Sequence, residues 1–184
     1  IFSGSGFGIK ENHRVFGITK AYTTRVGSGP FPSELKNEIG EYLGRKGKEF
    51  GTVTKRKRRC GWFDVNLVKQ SVIISGVTDI VLTKLDVLDE LKNIQICIGY
   101  ELEGKKYDFL PIGDFDQAKL KLIYRTMPGW NESTYGINNW SDLPKNARDY
   151  ILLIEKLVGA KISIVSTGPE RSQTIDINNL LSSI

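Results

Sequence analysis

The chain has few of the residues that build disulfide scaffolds, zinc sites or histidine-based active sites. Its 184 residues include two cysteines, one histidine and one methionine. The spacing of Cys60 and Cys97 matches no zinc motif, so we expect buried, unpaired thiols in a reducing compartment. The single histidine, His13, stands in a polar stretch, where a surface position is commoner than a catalytic one, and it completes no Ser-His-Asp or Cys-His set.

Long apolar runs and a phosphate-binding loop are also missing from the sequence. No stretch reaches the roughly 18 apolar residues of a membrane span, and no signal peptide is recognisable, which predicts a cytoplasmic protein without a membrane partner. The Gly-rich stretches GSGFG and RVGSGPFP do not match G-x-x-x-x-G-K-[ST]. Because the only methionine is Met127 and the chain opens on IFSGSGFGIK, we interpret it as a piece of a longer polypeptide.

Strands are predicted where β-branched, aromatic and other apolar residues run between turn formers. They lie in residues 13–27, as one or two strands, and in residues 78–86, 93–112 and 160–169. Residues 93–112 read as a hairpin with Gly104 in its turn. Residues 78–86 are almost wholly apolar until their charged end, which is typical of a strand buried on both faces.

Three helices are predicted from their apolar periodicity and their end residues. They cover residues 34–47 with Ser33 as N-cap and Gly44 or Gly47 at the end, residues 65–75 between Asp64 and Gly76, and residues 141–159 from Ser141 to Gly159. Helices that alternate with buried strands indicate an α/β fold. We therefore expect one structural unit over residues 1–184, with a mixed sheet, an antiparallel hairpin and packing helices.

A charged pair ends one predicted strand. Lys84 and Asp86 follow an apolar run, at the end of a strand where open α/β sheets bind ligands. A carboxylate can accept hydrogen bonds from the N1–H and the exocyclic amine of guanine, a donor pair that adenine lacks, and the stem of Lys84 could cover the purine face. The T-K-x-D pattern is short enough to arise by chance, so a strand that ends in solvated charge stays the alternative.

The segment STGP, residues 166–169, ends the other apolar strand. Gly168 permits a close backbone approach, and main-chain N–H groups at such a turn could bind a carbonyl oxygen such as guanine O6. An ordinary turn, in which Pro169 stops the strand, explains the same residues. In the turn-rich stretch YRTMPGWNESTYG, we interpret Trp130 and Tyr135 as packing residues, with a substrate contact as the alternative.

The basicity of the chain is local. The run KRKRR, residues 55–59, holds five cations, while the formal net charge of the whole chain is +5. Three interpretations compete: a patch that is solvated or binds nucleic acid, a localisation signal, and a set of anchors for a small anion. Arg56 and Arg58 could point the same way in an extended loop and bind a substrate with two carboxylates, because a guanidinium is a planar fork.

Several segments together resemble one known family. The stretches TKAYTTRVGSGPFPSEL, EFGTVTKRKRRCGWFD, LTKLDVLD, MPGW with STYG, and STGPER occur in the order and at the distances expected for the C-terminal part of adenylosuccinate synthetase. The resemblance covers nearly the whole chain, and the joint occurrence makes it specific although each motif alone is weak. It implies the fold of the C-terminal portion of a P-loop-type GTP-dependent ligase.

The resemblance implies an enzyme of purine nucleotide (AMP) biosynthesis that joins IMP to L-aspartate at the expense of GTP, with Mg²⁺ as cofactor and a homodimer as the assembly. GTP first phosphorylates the 6-oxygen of IMP, and the amino group of aspartate then displaces that phosphate to give adenylosuccinate. The basic run would then bind small anions and not nucleic acid.

The resemblance also assigns site residues by position. The guanine-binding segment would comprise Lys84, Leu85 and Asp86, helped by Ser166, Thr167 and Gly168. The mobile aspartate-binding loop would comprise Thr52, Val53, Thr54, Lys55, Arg56, Lys57 and Arg58. Thr54 and Arg58 would hold the carboxylates of aspartate, and Arg56 would meet the IMP ribose as well as aspartate. Arg58 is also placed near the GTP phosphates, and the backbone of Val26 near the IMP ribose.

The chain departs from the family pattern at three positions and lacks the family's upstream half. Lys57 stands where many members have Arg, Val53 where a hydroxyl residue is common, and Cys60 where Thr is frequent. The family's phosphate-binding loop, Mg²⁺ ligands, catalytic aspartate and catalytic histidine all precede the resembling segment, and His13 is not that histidine. We therefore expect no catalytic residue and no metal ligand in this chain, and no ligase activity from it alone.

Overall fold

A computed structural model of the chain describes residue 4 and residues 14–53, 55–111 and 119–180. Within them lie ten strands: β1 (Phe16–Lys20), β2 (Thr23–Arg25), β3 (Arg59–Gly61), β4 (Phe63–Asp64), β5 (Asp79–Thr83), β6 (Asn93–Leu102), β7 (Lys105–Tyr107), β8 (Lys121–Pro128), β9 (Lys161–Ser166) and β10 (Thr174–Asp176). The described helices are α1 (Glu38–Lys46), α2 (Val65–Ser75) and α3 (Lys145–Val158). Short 3₁₀ turns cover Leu85–Leu88 and Trp140–Asp142.

The sheet that matters most for the site has the strand order β1-β5-β9-β10. Its strands β1, β5 and β9 run parallel, and β10 closes one edge in the antiparallel sense. A second sheet holds β4, β6, β7 and β8, in which β6 pairs antiparallel with both β7 and β8. A small two-stranded sheet joins β2 to β3. The mixed α/β fold predicted from the sequence, with its antiparallel hairpin, is confirmed.

Local end signals fix helix α2 and the end of helix α3 where the sequence predicted them. The Asp64 carboxylate accepts hydrogen bonds from the backbone N–H groups of Asn66 and Leu67, at 3.2 and 3.3 Å, and so caps α2. Gly76 ends α2 and Gly159 ends α3, both with a positive φ that glycine adopts without strain. Gly104 has a φ of +82° in the hairpin turn between β6 and β7, as predicted.

The predicted N-cap at Ser33 is wrong, because tertiary pairing takes over that segment. Ser33 is fully buried, and its carbonyl accepts the N–H of Trp62 at 3.2 Å. Glu34 forms an isolated bridge with Gly61, so the chain stays extended there. Helix α1 begins at Glu38, where the side chain of Asn37 accepts the N–H of Gly40. The helix ends at Gly47, one of the two predicted stops.

The predicted N-cap at Ser141 is also wrong. Ser141 lies in the 3₁₀ turn before α3, and the helix begins at Lys145, after Pro144. The proline keeps Leu143 in an extended conformation, with a ψ of 140°, so no helix can run through that position. No strand is predicted from the sequence at β8, which pairs along almost the full length of β6.

The main core lies between the sheets and helices α2 and α3. Its largest fully buried members come from strands, helices and the 3₁₀ turn after β5, among them Tyr22, Phe63, Leu85, Ile96 and Tyr150. Cys60 and Cys97 are buried free thiols, as predicted, and burial raises their pKa to about 11 and about 12. None of the described helices combines the length and the apolar character needed to cross a membrane.

Candidate functional site

A cavity of about 670 Å³ opens where β5 and β9 end. These strands are parallel neighbours, so the residues that follow them meet at one edge of the sheet. From the β5 end come Lys84 and Asp86, and from the β9 end come Ser166 and Gly168. Two of the sequence segments predicted to bind guanine therefore share one cavity, although 80 residues separate Asp86 from Ser166.

The turn after β5 separates core side chains from cavity side chains. Lys84 adopts the left-handed conformation, with a φ of +60°, and starts the 3₁₀ turn Leu85–Leu88. The Leu85 side chain is fully buried in the core and does not line the cavity. Asp86 is half-buried on the cavity wall. Burial and the nearby charge of Asp89 raise the pKa of Asp86.

The turn after β9 is held by its own hydrogen bonds. The Ser166 hydroxyl donates to the carbonyl of Gly168 at 2.7 Å. Thr167 is fully buried and does not line the cavity, and its hydroxyl donates to the Ile137 carbonyl at 2.6 Å. A Cβ atom on Gly168 would lie 2.2 Å from Oε1 of Gln173 and 3.2 Å from the Tyr135 ring. A side chain at position 168 would therefore have to displace the cavity wall.

Asp89 organises a third wall of the cavity. Its side chain is almost fully buried, and its Oδ1 accepts hydrogen bonds from Nε1 of Trp130 at 2.6 Å and from the Thr134 hydroxyl at 2.7 Å. Its Oδ2 accepts the backbone N–H of Thr134 at 2.8 Å. These bonds fasten the segment whose next residue, Tyr135, lines the cavity. Trp130 is a core residue, as interpreted from the sequence, whereas Tyr135 is half-exposed at the cavity.

A buried carboxylate lies at the base of the basic loop. Glu49 is fully buried, and its carboxylate receives Lys20 Nζ at 2.8 Å, Arg58 Nη1 at 2.9 Å and Lys84 Nζ at 3.3 Å. The hydroxyl of Tyr22 donates to the same carboxylate at 2.5 Å. Burial alone would raise the pKa of Glu49, but the hydrogen bonds from Lys20, Tyr22 and Arg58 lower it to about 2. The glutamate is therefore ionised in the folded chain.

The charge of Glu49 also affects its neighbours. Burial lowers the pKa of Lys20, although its hydrogen bond to Glu49 acts in the opposite direction. Burial, together with the hydrogen bond to Glu49, raises the pKa of Tyr22, which keeps this phenol neutral. One carboxylate thus faces three cations, and the group carries an excess of positive charge.

The predicted aspartate loop is a small turn closed by backbone bonds. Gly51 N–H donates to the Arg56 carbonyl at 2.8 Å, and Phe50 forms a bridge with Lys57. Thr52 and Val53 are exposed at its tip, Val53 to 91%. Lys55 has a positive φ, and both Lys55 and Arg56 are exposed. Thr54 lies outside the described residues, as does His13.

Cations of the basic run are paired with carboxylates of the same chain. Lys57 contacts Glu41, Arg58 contacts Glu49, and Arg59 binds Glu34 through two nitrogens. Arg59 belongs to strand β3. The run is thus integrated into the fold, and the alternative of a nucleic-acid-binding module finds no support.

Some predicted site residues lie apart from the cavity. Of those described, Val26, Thr52, Val53, Lys55, Arg56, Lys57 and Arg58 do not line it. Arg58 is connected to the cavity through Glu49, which also binds Lys84. Val26 follows β2 and is 66% exposed. A second cavity, of about 370 Å³, lies between β1 and α2 and contains none of these residues.

The sequence interpretation did not assign roles to Glu49 and Asp89. Glu49 is the first residue of the stretch EFGTVTKRKRRCGWFD and Asp89 is the last of LTKLDVLD, but no local pattern in either stretch indicates the partners of these carboxylates. Across the described ranges, no group of three His, Cys, Asp or Glu side chains could hold a metal ion.

Comparisons with known proteins find a matching family model and a similar solved structure. A protein-family model for adenylosuccinate synthetase matches residues 1–175. Among solved structures, the chain is similar to a fully ligated adenylosuccinate synthetase from Plasmodium falciparum, with 39% sequence identity and a TM-score of 0.83. The match covers 94% of this chain and 42% of that chain, so the 184 residues span less than half the length of that relative.

Proposed function

Because the chain belongs to the adenylosuccinate synthetase family, we propose that it forms part of a ligase that joins IMP to L-aspartate at the expense of GTP. The products are adenylosuccinate, GDP and phosphate, in the synthesis of AMP. In that reaction, this chain contributes the residues that recognise the guanine base of GTP and the substrate aspartate. The observation that carries the proposal is the convergence of Asp86 with the turn Ser166–Gly168 in one cavity at adjacent strand ends.

The cavity offers the groups that guanine recognition needs. The carboxylate of Asp86 accepts hydrogen bonds from N1–H and the 2-amino group, and the aliphatic part of Lys84 covers one face of the base. Leu85 contributes through its backbone, since its side chain is in the core. A main-chain N–H of the turn Ser166, Thr167 and Gly168 binds guanine O6, and the buried Thr167 hydroxyl stabilises that turn through its hydrogen bond to Ile137.

The basic loop is proposed to bind aspartate. Thr54 and Arg58 hold the carboxylates, and Arg56 meets both aspartate and the IMP ribose. Val26 contacts the same ribose through its backbone, and Arg58 also lies toward the GTP phosphates. Closure of a loop with several cations over a dicarboxylate orders the reactants, excludes water and stabilises negative charge on phosphoryl oxygens.

The remaining parts of the proposal concern the complete enzyme. Mg²⁺ would neutralise phosphate charge when bound, and its ligands are proposed to lie outside this chain. The complete enzyme is proposed to be a cytoplasmic homodimer.

Replacement of Asp86 tests the proposed base recognition. In the complete enzyme that contains this chain, Asp86→Asn loses one acceptor and gains a donor that faces the 2-amino group of guanine. We expect the preference for GTP over ATP in kcat/KM to fall by about 10- to 100-fold, the value of one charge-assisted hydrogen bond. The control is Asp142→Asn, an exposed aspartate outside the cavity. An unchanged nucleotide preference in Asp86→Asn would remove this residue from the guanine site.

A further inference from the structure

Glu49 is the point at which the basic loop and the cavity meet. Its Oε2 contacts Arg58, the last residue of the proposed aspartate loop, and its Oε1 contacts Lys84, which lines the cavity. Glu49 follows α1, Arg58 immediately precedes β3, and Lys84 immediately follows β5. No other carboxylate is described in contact with both Arg58 and Lys84.

Backbone hydrogen bonds hold Glu49 and Arg58 in fixed positions relative to helix α1. The N–H of Glu49 donates to the Gly44 carbonyl at 2.8 Å, and the N–H of Arg58 donates to the Glu49 carbonyl at 2.9 Å. Lys84 Nζ in addition donates to the carbonyl of Gly47. Both the main chain and the side chain of Glu49 thus hold the end of the loop against the end of helix α1.

The carboxylate of Glu49 offsets the mutual repulsion of the three cations around it. Lys20, Arg58 and Lys84 repel one another, and a single fully buried carboxylate keeps their charged ends within 3.3 Å of its oxygens. Since it neutralises only one of the three positive charges, the other two remain to attract anionic ligands. A neutral side chain at position 49 would allow the cations to separate.

We propose that Glu49 is a positioning residue that sets the relative placement of Arg58 and Lys84, and so couples the aspartate loop to the guanine cavity. This inference rests on the proposed function, because it concerns the substrates of that reaction. Glu49 itself touches no substrate, since its side chain is fully enclosed. Its effect reaches both substrates through the two cations.

The test compares Glu49→Gln with Glu34→Gln in the complete enzyme. Glu34 also pairs with an arginine of the basic run, Arg59, but it is not in contact with Lys84 or with the cavity. We expect Glu49→Gln to raise the KM for aspartate and the KM for GTP together by about 10- to 100-fold, as a displaced binding group does. We expect Glu34→Gln to change neither KM by more than about twofold, even if it lowers the melting temperature.

A conservative variant separates positioning from folding. Glu49→Asp keeps the negative charge and shortens the side chain, so both KM values should lie between those of the wild type and of Glu49→Gln. If Glu49→Gln does not fold, the proposal is tested with Glu49→Asp alone, for which we expect the KM for aspartate and the KM for GTP each to rise by more than twofold. The proposal is overturned if both KM values stay within twofold of the wild type, or if Glu34→Gln raises them equally.

The wild-type enzyme separates this inference from the function on which it depends. If the wild type makes no adenylosuccinate from IMP, aspartate and GTP, the proposed function fails. If the wild type is active and Glu49→Gln keeps both KM values, only the role of Glu49 fails.

Discussion

The bonds made by Asp89 predict a large effect for a change of a single atom. In Asp89→Asn, one carboxylate oxygen becomes an NH₂ group of nearly the same size. The remaining oxygen can still accept from Trp130 and from the Thr134 hydroxyl, the two partners of Oδ1. The NH₂ group would then face the backbone N–H of Thr134, which now donates to Oδ2 at 2.8 Å. The new NH₂ group and the backbone N–H of Thr134 are both donors, so no hydrogen bond could form between them in the interior.

The size of the effect follows from the lost Thr134 contact, because the other partner of Oδ2, the Ser133 hydroxyl at 3.5 Å, can rotate to accept from the new NH₂ group. A hydrogen bond to a charged acceptor contributes about 1.5–3 kcal/mol, and a buried donor left without a partner costs about 1–3 kcal/mol. Thr134 is fully buried, so water cannot replace the lost acceptor. The two effects together predict a loss of about 2.5–6 kcal/mol in the free energy of unfolding, a large fraction of the stability of a typical domain.

Urea denaturation of the complete enzyme, followed by tryptophan fluorescence, measures this loss. The matched control is Asp149→Asn, which removes a carboxylate from the partly exposed pair with Lys145 on helix α3. The control should cost less than about 0.5 kcal/mol, because such pairs contribute little. The reasoning is refuted if Asp89→Asn costs less than about 1 kcal/mol, or no more than the control.

Two further predictions concern Gly61 and Glu49. In Gly61→Ala the new Cβ would lie 2.2 Å from the carbonyl oxygen of Ser33, so urea denaturation should show that the free energy of unfolding falls by about 1–3 kcal/mol. The control is Gly99→Ala, which should lose less stability because the nearest neighbour of its new Cβ is a side-chain carbon at 3.4 Å. Equal losses in the two variants would contradict the account. Because the pKa of Glu49 falls from an ordinary 4.5 to about 2 on folding, its ionisation stabilises the fold by about 3 kcal/mol above pH 4.5, and this is lost as the pH falls toward 2. The stabilities of the wild type and Glu49→Gln should therefore converge over that pH range, and parallel curves would show that Glu49 is not the group responsible.

Much of the fold could be predicted because its signals are local. Asp64 caps α2 with its own side chain, and Gly104 and Gly159 adopt the positive φ angles that their turns require. The failures at Ser33 and Ser141 arise from other causes. Ser33 is drawn into pairing with the strand that contains Gly61, which is distant in sequence. At Ser141, the proline three residues later delays the helix.

The site could be predicted in part for the same reason. Asp86 and Ser166 each end an apolar strand, and parallel neighbours bring such ends together, so their shared cavity follows from the fold class. The role of Glu49 could not be deduced from local pattern. Its partners Lys20, Arg58 and Lys84 come from three separate segments, and only the folded chain shows that they surround one carboxylate.

A crystal structure of the complete enzyme with GDP would test the central claim most directly. The account predicts that the guanine base lies in the cavity beyond β5 and β9, with its N1 and its 2-amino nitrogen each about 2.7–3.2 Å from the carboxylate of Asp86. A base bound elsewhere, with Asp86 left in contact only with protein and solvent, would contradict it.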